Sequence, residues 1–351
     1  MGARIALATE SDAGEWDDLN ANSPDGTVFH RWKWLRIAEK YAGGARLFPL
    51  VSTEGEEMTG IFPVFLRTVP LMRLLFSPPP RLAIRFLGPV LGAGTRQKSS
   101  RREQNRMEMQ RVAMEYITTA LRPDYSLIAH SPSMIDVRTF RWMGYTNDTM
   151  FDYIADIREG PDQLWKDLRG TQRTDLRKAL KIGMSIRTGG VQELRAIYDL
   201  LVQRYREQGK SVNVPEPYLT ELLREFPESI KVFAVEYGGR IVTGSIELEL
   251  TRDEMTSWIG NPKPSQAISP SPNELLNWET LKDAAARGYT WYSILGAAGN
   301  QRLSRYYSAK IPNLDLRTRY VSRKAGFLGS CAMRGYMGIV KPLSERIGSL
   351  V

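Results

Sequence analysis

The chain has 351 residues and carries 48 basic against 39 acidic side chains, which gives a formal net charge of +9. Its 42% hydrophobic and 10% aromatic content can build a sizeable core, which excludes wholesale disorder, and the length favours two domains. The single cysteine, Cys331, excludes an internal disulfide framework and a cysteine-rich zinc site, and favours a reducing cytoplasm. Since His30 and His130 lie far apart in the chain, we expect no metal site.

The N-terminal sequence, the apolar stretches and the net charge indicate where the protein is located and which partners it binds. The first residues lack the apolar region of a signal peptide, and no stretch approaches the ~18 uninterrupted apolar residues of a membrane span. The basic surplus favours an anionic partner, which is nucleic acid, a phosphorylated substrate or an anionic bilayer surface. We therefore expect a cytoplasmic protein, with peripheral contact at the inner face of the membrane as an open alternative.

The first half predicts helices, a hairpin and buried strands. A helix is expected near Thr9 to Leu19, capped by Thr9 or Ser11, and TVFHRWKWLRIAEKY repeats apolar residues at helical spacing. LFPLVST and MTGIFPVFLRTV predict an antiparallel hairpin, and the proline-broken apolar segment after it predicts buried strands with a fixed loop. The very polar run from Thr95 to Arg106 is interpreted as a solvated helix entry, with a dedicated anion site as the alternative.

The second half begins, on this pattern, after Gly160-Pro161. PDQLWKDLRGTQRTDLRKALKIG predicts one helix that ends at Gly183, followed by a strand and two further helices. Three strands, the helix NELLNWETLKDAAARG and the strand YTWYSILG complete the order α-α-β-β-β-α-β, which is that of an N-acyltransferase fold. The helix-then-hairpin start of the first half indicates a degenerate duplicate of the same fold.

A stripe of cations is the first candidate site. Arg169, Arg173, Arg177 and Lys181 are spaced by four residues and share one face of the predicted helix. Like charges at this spacing repel, and phosphate or an RNA backbone would offset that cost. The alternative is a solvated face whose charges meet carboxylates of another element.

The start of the NELLNWETLKDAAARG helix is the second candidate. Asn273 or Ser271 can cap it, and Glu274 falls in the first turn. The free backbone N–H groups of a helix start suit an anion or an oxyanion, although ordinary capping selects the same residues.

A tyrosine- and lysine-rich segment after a strand is the third candidate. The strand ends at Gly296, and RYYSAK then offers phenol and ammonium groups to a reacting carbonyl. Because adjacent side chains of an extended segment alternate in direction, we expect one of Tyr306 and Tyr307 to enter a site and the other to be core.

Several segments together resemble the Fem-type aminoacyltransferases and the related acetyltransferase-like proteins of the GNAT superfamily. They run in the expected order from Trp16 to Tyr320 and include TVFHRWKWLRIAEKY, LWKDLRGTQRTDLRKALKIGMSIR, ISPSPNELLNWETLKDAAARGY and RYYSAKIPNL. The resemblance implies an α/β (α+β) fold of two tandem GNAT-like domains, each a mixed twisted sheet flanked by helices. Residues 1–160, with 321–351 returning, would form the first domain, and 161–320 the second domain with the acyl-transfer site.

The resemblance also implies a reaction. Fem-type enzymes move an amino acid from aminoacyl-tRNA to an amine of a cell-wall precursor peptide, which they bind partly through its diphosphate. Trp34 and its neighbouring cations match their first-domain substrate segment, and Arg305-Tyr306-Tyr307-Ser308 matches their Arg-Phe-Lys-Ser-like motif. Tyr307 stands where that motif has its lysine, and Lys310 is the predicted substitute. No coiled-coil arm for transfer RNA is visible.

The diphosphate loop of coenzyme-A-dependent GNAT enzymes, Gln/Arg-x-x-Gly-x-Gly/Ala, is absent. The matching stretch, PKPSQAISPSP, has no glycine, so its backbone cannot closely approach a diphosphate. This disfavours acetyl-CoA as the donor.

We therefore expect an acyl- or aminoacyltransferase that forms an amide on an amine, with aminoacyl-tRNA as donor, acetyl-CoA as the alternative and no tightly bound cofactor. Tyr307 and Lys310 would polarise the carbonyl or the leaving group, and Glu274 or Glu279 would take the amine proton unless the substrate assists itself. The expected substrate-binding residues are Lys33, Arg36, Arg173, Arg177, Lys178, Asn273 and Arg305. A non-catalytic protein that binds RNA or a phosphorylated lipid is the remaining alternative.

The tail from Ala325 to Val351 is expected to dock on the first domain or on an anionic membrane surface.

Overall fold

The computed structural model describes residues 3–92, 99–264, 266–326 and Gly329. Contacts divide the described residues into two compact units, one with residues up to Met150 and residues 318–326, the other with Phe151–Arg317. The predicted boundary at Gly160 lies after a strand whose last residues pair within the second unit. The part of the tail beyond Gly326 falls, apart from Gly329, outside the described residues.

The first unit contains a mixed sheet and four helices within its described part. Its strands are β1 (Arg4–Leu7), β2 (Arg46–Glu54), β3 (Glu57–Val69), β4 (Met72–Ser77), β5 (Val90–Leu91) and β6 (Tyr125–Ala129), and its helices are α1 (Ala13–Asn22), α2 (Trp32–Tyr41), α3 (Ser99–Tyr116) and α4 (Arg138–Trp142). β1, β2, β3 and β4 pair antiparallel in that order, and β4 pairs parallel with β6.

The second unit repeats this pattern. It follows β7 (Thr146–Asp156) and comprises α5 (Gly160–Asp167), α6 (Gly170–Lys181), β8 (Ser185–Gly189), α7 (Val191–Glu207), α8 (Glu216–Glu225), β9 (Ile230–Tyr237), β10 (Arg240–Thr251), β11 (Glu254–Gly260), α9 (Pro272–Ala286), β12 (Trp291–Ile294), α10 (Gln301–Lys310) and the start of β13 (Leu314–Ala325). β8 to β11 pair antiparallel in order, and β11 pairs parallel with β12. The α/β prediction, with a mixed sheet and flanking helices, is confirmed.

Each unit completes its sheet with a strand from a distant part of the sequence. In the first unit, residues Val321–Ala325 of β13 pair antiparallel with β6. In the second, residues Tyr153–Asp156 of β7 pair antiparallel with β12. Each therefore places its parallel pair inside the sheet, next to an antiparallel neighbour.

One predicted helix is wrong. The segment after Gly160 forms two helices, because Leu168 and Arg169 adopt extended backbone with ψ of 142° and 146° between α5 and α6. Leu168 is 5% exposed and packs in the core of the second unit. The helical pattern does not reveal this break, since burying Leu168 outweighs continuing the helix.

Both histidines are completely buried in the first unit. The Nδ1 of His30 lies 2.9 Å from the Oγ1 of Thr27, and the Nε2 of His130 lies 2.7 Å from the Oγ of Ser322. Burial lowers the pKa of His30 to about 4 and that of His130 to about 3, from an ordinary value of 6.5. The folded protein therefore keeps both rings neutral.

These histidines predict a pH dependence of stability. Since the unfolded chain binds their protons first, their contribution to the free energy of unfolding is complete above pH 6.5 and falls as the pH drops toward 4. Chemical denaturation at a series of pH values measures this, and His130→Asn should flatten the slope. An identical slope in that variant between about pH 7 and pH 5 would contradict the prediction.

Candidate functional site

Two of the residues predicted to be catalytic meet in the second unit. The Nζ of Lys310, in the last turn of α10, lies 2.7 Å from the Oε1 of Glu274, in the first turn of α9. Their side chains are 25% and 16% exposed. The Nε2 of Gln172, on α6, donates to the carbonyl oxygen of Lys310 at 2.8 Å, which fixes the end of α10. A partly buried ion pair thus joins the three helices.

The adjacent tyrosines lie beside this ion pair, and the prediction that their side chains alternate in direction is wrong. The segment is the helix α10, so successive side chains are only about 100° apart, and the rings of Tyr306 and Tyr307 contact edge to face with centroids 5.1 Å apart. The Nδ2 of Asn277 donates to the hydroxyl oxygen of Tyr306, and the Nδ2 of Asn261 donates to that of Tyr307, both at 3.0 Å. Each phenol oxygen therefore accepts a hydrogen bond, which leaves its own O–H hydrogen free to donate.

The end of β11 places the amide of Asn261. Gly260 has a φ of 144°, and a Cβ there would lie 2.5 Å from the carbonyl oxygen of Gly244, so only glycine fits. Asn261 follows with a left-handed φ of 55°, and its N–H donates to Gly244 at 2.8 Å. The Gly-Asn pair therefore turns the chain out of the sheet and directs the amide toward Tyr307.

Asn273 supports this turn and does not cap its helix. Ser271 is the N-cap residue of α9, and Pro272 follows it. The Nδ2 of Asn273 instead donates to the carbonyl oxygen of Asn261 at 3.3 Å, and its Oδ1 accepts from Thr243 at 2.6 Å. Asn261, Asn277 and Thr243 are the site residues that sequence reasoning missed; only the Gly-Asn pair after a strand carries a local signal.

Burial determines the protonation of the two phenols. It raises the pKa of Tyr307 above its ordinary value, and the nearby Glu247 adds to the increase. It also raises the pKa of Tyr306, to which Tyr307 and Glu274 contribute. Both hydroxyls are therefore neutral donors near pH 7, which suits them to stabilise a developing negative charge rather than to act as bases.

Two carbonyl-type oxygens of the site are left with unused acceptor capacity. The Oε2 of Glu274 and the Oδ1 of Asn261 are buried and have no hydrogen-bond partner within the part of the chain that the structure describes. A cavity of about 10 Å³, lined by Glu274, Asn277, Lys310 and their apolar neighbours, adjoins the ion pair. This space is about what one water molecule needs, so the site could hold a small polar group there.

The predicted cationic stripe is only partly available to a ligand. The Nη1 of Arg173 donates to the carbonyl oxygens of Lys166 and Leu168, at 2.7 Å each, and so closes the end of α5. The guanidinium of Arg177 lies 5.5 Å from the ring centroid of Trp165. Lys178 is exposed on α6 and Arg305 is exposed on α10.

The other predicted substrate-binding residues belong to the first unit. Lys33 and Arg36 are exposed on α2, and the Nε of Arg36 lies 3.0 Å from a carboxylate oxygen of Glu10. The described residues contain no group of three or more histidine, cysteine, aspartate or glutamate side chains that could hold a metal ion. No helix in the described part of the chain is long and apolar enough to cross a membrane.

Comparisons with known proteins agree with this architecture. Residues 166–306, which lie within the second unit, match the family model of the acetyltransferase (GNAT) domain. The structure of FemX is 12% identical and covers 91% of this chain and 96% of its own, with a TM-score of 0.64. The structure of L-PGS from Bacillus licheniformis is 13% identical, covers 91% of this chain and 94% of its own, and has a TM-score of 0.54. A tandem GNAT protein from the clavulanic acid biosynthesis pathway is 11% identical, covers 92% of this chain and 97% of its own, and has a TM-score of 0.52. No curated protein sequence matches the chain.

These likenesses show the fold, which is a tandem GNAT-like fold with an acyltransferase-like second unit. The predicted resemblance to the GNAT superfamily is confirmed. The identities are too low to transfer a donor or an acceptor.

The contacts of Arg173 predict an effect on stability. Arg173→Ala should lower the free energy of unfolding by about 1–3 kcal/mol, because it leaves carbonyl groups at the end of α5 without a donor. Lys178→Ala, which removes an exposed cation from the same helix, is the matched control and should change stability by less than about 0.5 kcal/mol. Denaturant unfolding of both variants tests this, and equal stabilities would contradict it.

Proposed function

We propose that the protein is an acyltransferase that forms an amide bond on an amine acceptor, with an aminoacyl-tRNA as donor and a phosphorylated cell-envelope precursor as acceptor. The observation that carries the proposal is the pair of neutral phenol donors, Tyr306 and Tyr307, held by two asparagine amides beside the Lys310–Glu274 ion pair. The Fem-type resemblance of the sequence and the fold likeness to FemX and L-PGS support an aminoacyl donor.

The reaction needs a donor for the oxygen that becomes negative when the amine attacks the ester carbonyl. Tyr306 and Tyr307 each supply one O–H hydrogen, and both groups remain protonated because burial raises their pKa. The N–C bond forms and the C–O ester bond breaks. Lys310 stabilises the leaving oxygen as its negative charge develops.

The proton of the attacking amine passes to Glu274 and from there to the leaving oxygen. Glu274 is favoured over Glu279, because Glu274 lines the small cavity with Lys310 and is close enough to Tyr306 to raise the pKa of that phenol. The Oε1 of Glu274 is occupied by Lys310, and the unpartnered Oε2 takes the proton. Asn273 acts indirectly, since it holds the backbone of Asn261.

Phosphate groups of the substrates bind to cations of the second unit. Arg177, Lys178 and Arg305 are exposed and carry this role, while Arg173 orders the backbone that presents α6. Lys33 and Arg36 of the first unit are proposed to bind the acceptor.

Tyr307→Phe tests the catalytic assignment. Loss of one oxyanion donor should lower kcat for transfer of radiolabelled amino acids, from a charged tRNA pool to an amine-bearing nucleotide–peptide precursor, by about 10²–10³-fold. Tyr205→Phe removes a hydroxyl from an exposed tyrosine of α7 and should leave the rate unchanged. Equal rates for Tyr307→Phe and the wild type would refute the assignment, and no transfer by the wild type would refute the aminoacyl donor.

A coenzyme-A-dependent N-acetyltransferase is the second candidate, favoured by the acetyltransferase model that matches residues 166–306. The start of α9 opposes it. Pro272 lacks an N–H, the loop before it lacks glycine, and Glu274 brings negative charge to the first turn, where a diphosphate would bind.

Calorimetry with acetyl-CoA separates the two candidates. We expect no binding at micromolar concentrations, because the helix start offers few N–H donors and a repelling carboxylate. Glu274→Gln removes that charge without changing the helix, and a gain of affinity in this variant would identify the carboxylate as the barrier. Micromolar binding by the wild type would favour the acetyltransferase.

A further inference from the structure

The polar run from Thr95 to Arg106 includes two arginines that the proposed reaction does not use. Arg102 and Arg106 are one helical turn apart on α3, and both line a cavity of about 510 Å³ in the first unit. Glu103, Ile135, Asp136 and Arg138 form the rest of its lining. Because Arg102, Glu103 and Ile135 are exposed, this cavity is an open depression of the surface. Residues Thr95–Lys98 of the run lie outside the described residues, whereas Arg102 and Arg106 lie on the helix itself.

The two carboxylates of the cavity are already occupied. The Nη2 of Arg138 lies 2.5 Å from the Oε1 of Glu103 and 2.8 Å from the Oδ2 of Asp136, and its Nε donates to Asp136 as well. These bonds hold the pKa of Asp136 below its ordinary value, and the charge of Arg106 contributes. One arginine therefore engages both acidic groups, and the lining keeps three cations against two anions.

Arg106 has unused hydrogen-bonding capacity. Its Nη2 lies 3.5 Å from the Oδ2 of Asp25, which is longer than a hydrogen-bonded ion pair, and its buried Nε has no hydrogen-bond partner among the residues that the structure describes. The side chain is 28% exposed, so the accessible part of the guanidinium can donate to an acceptor that a ligand brings.

Arg102 is the more accessible of the two. It is exposed and makes no ion pair with a carboxylate among the residues that the structure describes. Ile135, 67% exposed, provides an apolar wall on the same cavity. The cavity thus offers two guanidinium groups for an anion and an apolar surface for the group that carries it.

We propose that this cavity binds the phosphate or diphosphate group of a small molecule or of a lipid headgroup, through Arg102 and Arg106. Planar guanidinium groups match the spacing of phosphate oxygens and can hold them with paired hydrogen bonds. A nucleic acid backbone fits less well, because Glu103 and Asp136 engage Arg138, so the lining leaves two arginines for one phosphate or diphosphate group and no further cation for the next phosphates of a strand.

Calorimetry of the full chain with inorganic pyrophosphate tests the site. The wild type should bind one pyrophosphate, and Arg102→Ala should weaken the affinity at least tenfold, since it removes a charge-assisted contact. Arg67→Ala, which removes an exposed arginine of β3 that does not line this cavity, is the matched control and should bind like the wild type. An equal loss in both variants, or no loss in either, would overturn the proposal.

A second variant and two further probes complete the test. Because Arg106 faces the buried Asp25, the second variant is Arg106→Lys rather than an alanine substitution. Lysine keeps the positive charge but lacks the planar guanidinium that forms paired hydrogen bonds. This variant should therefore bind pyrophosphate more weakly, while its thermal unfolding stays near that of the wild type. Vesicles of phosphatidylglycerol in place of pyrophosphate identify a lipid headgroup as the source if Arg102→Ala reduces their binding. Tight binding of single-stranded RNA without binding of pyrophosphate or vesicles would overturn the proposal. None of these measurements needs an acyl donor, so they are independent of the proposed transfer reaction.

Discussion

Two amide–phenol hydrogen bonds organise the candidate site of the second unit. The hydroxyl oxygens of Tyr306 and Tyr307 each accept a hydrogen bond from an asparagine N–H. The hydroxyl hydrogen of each tyrosine is therefore not donated to that asparagine. The phenols lie in a buried environment that keeps them protonated. If either asparagine were a residue without a donor, the tyrosine hydroxyl would be free to rotate and would lose its fixed direction. The turn at Gly260-Asn261 and the bonds of Asn273 are thus part of the same arrangement.

The sequence predicts the elements well and the site less well. The hairpin of β2 and β3 and the helix α9 follow from local patterns of apolar residues and turn signals. The break between α5 and α6 does not, because it depends on the core that receives Leu168. Asn261 lies 46 residues before its tyrosine partner, and such a pairing is set by the fold and not by neighbouring residues.

The basic segment that opens the second unit shows why residue type alone misleads. The pattern of four-residue spacing groups Arg173 with cations of the helix surface, yet its guanidinium bonds to backbone carbonyls and serves the end of another helix. Arg169 lies outside the helix, at its N-cap. Four-residue spacing on an ideal helix therefore groups Arg173, which has a structural role, with cations that are exposed. Only the tertiary contacts distinguish the two kinds of residue.

The position of β13 at the end of the described chain has a consequence for folding during synthesis. The first unit obtains Val321–Ala325 only after the whole second unit has been translated, so its sheet has an open edge at β6 while the ribosome makes the intervening residues. The second unit, by contrast, has Tyr153–Asp156 available from its beginning. The second unit should therefore complete its fold before the first, although the first is translated earlier. A fragment that stops at the end of the second unit would leave β6 unpaired, and its exposed edge would be prone to aggregation.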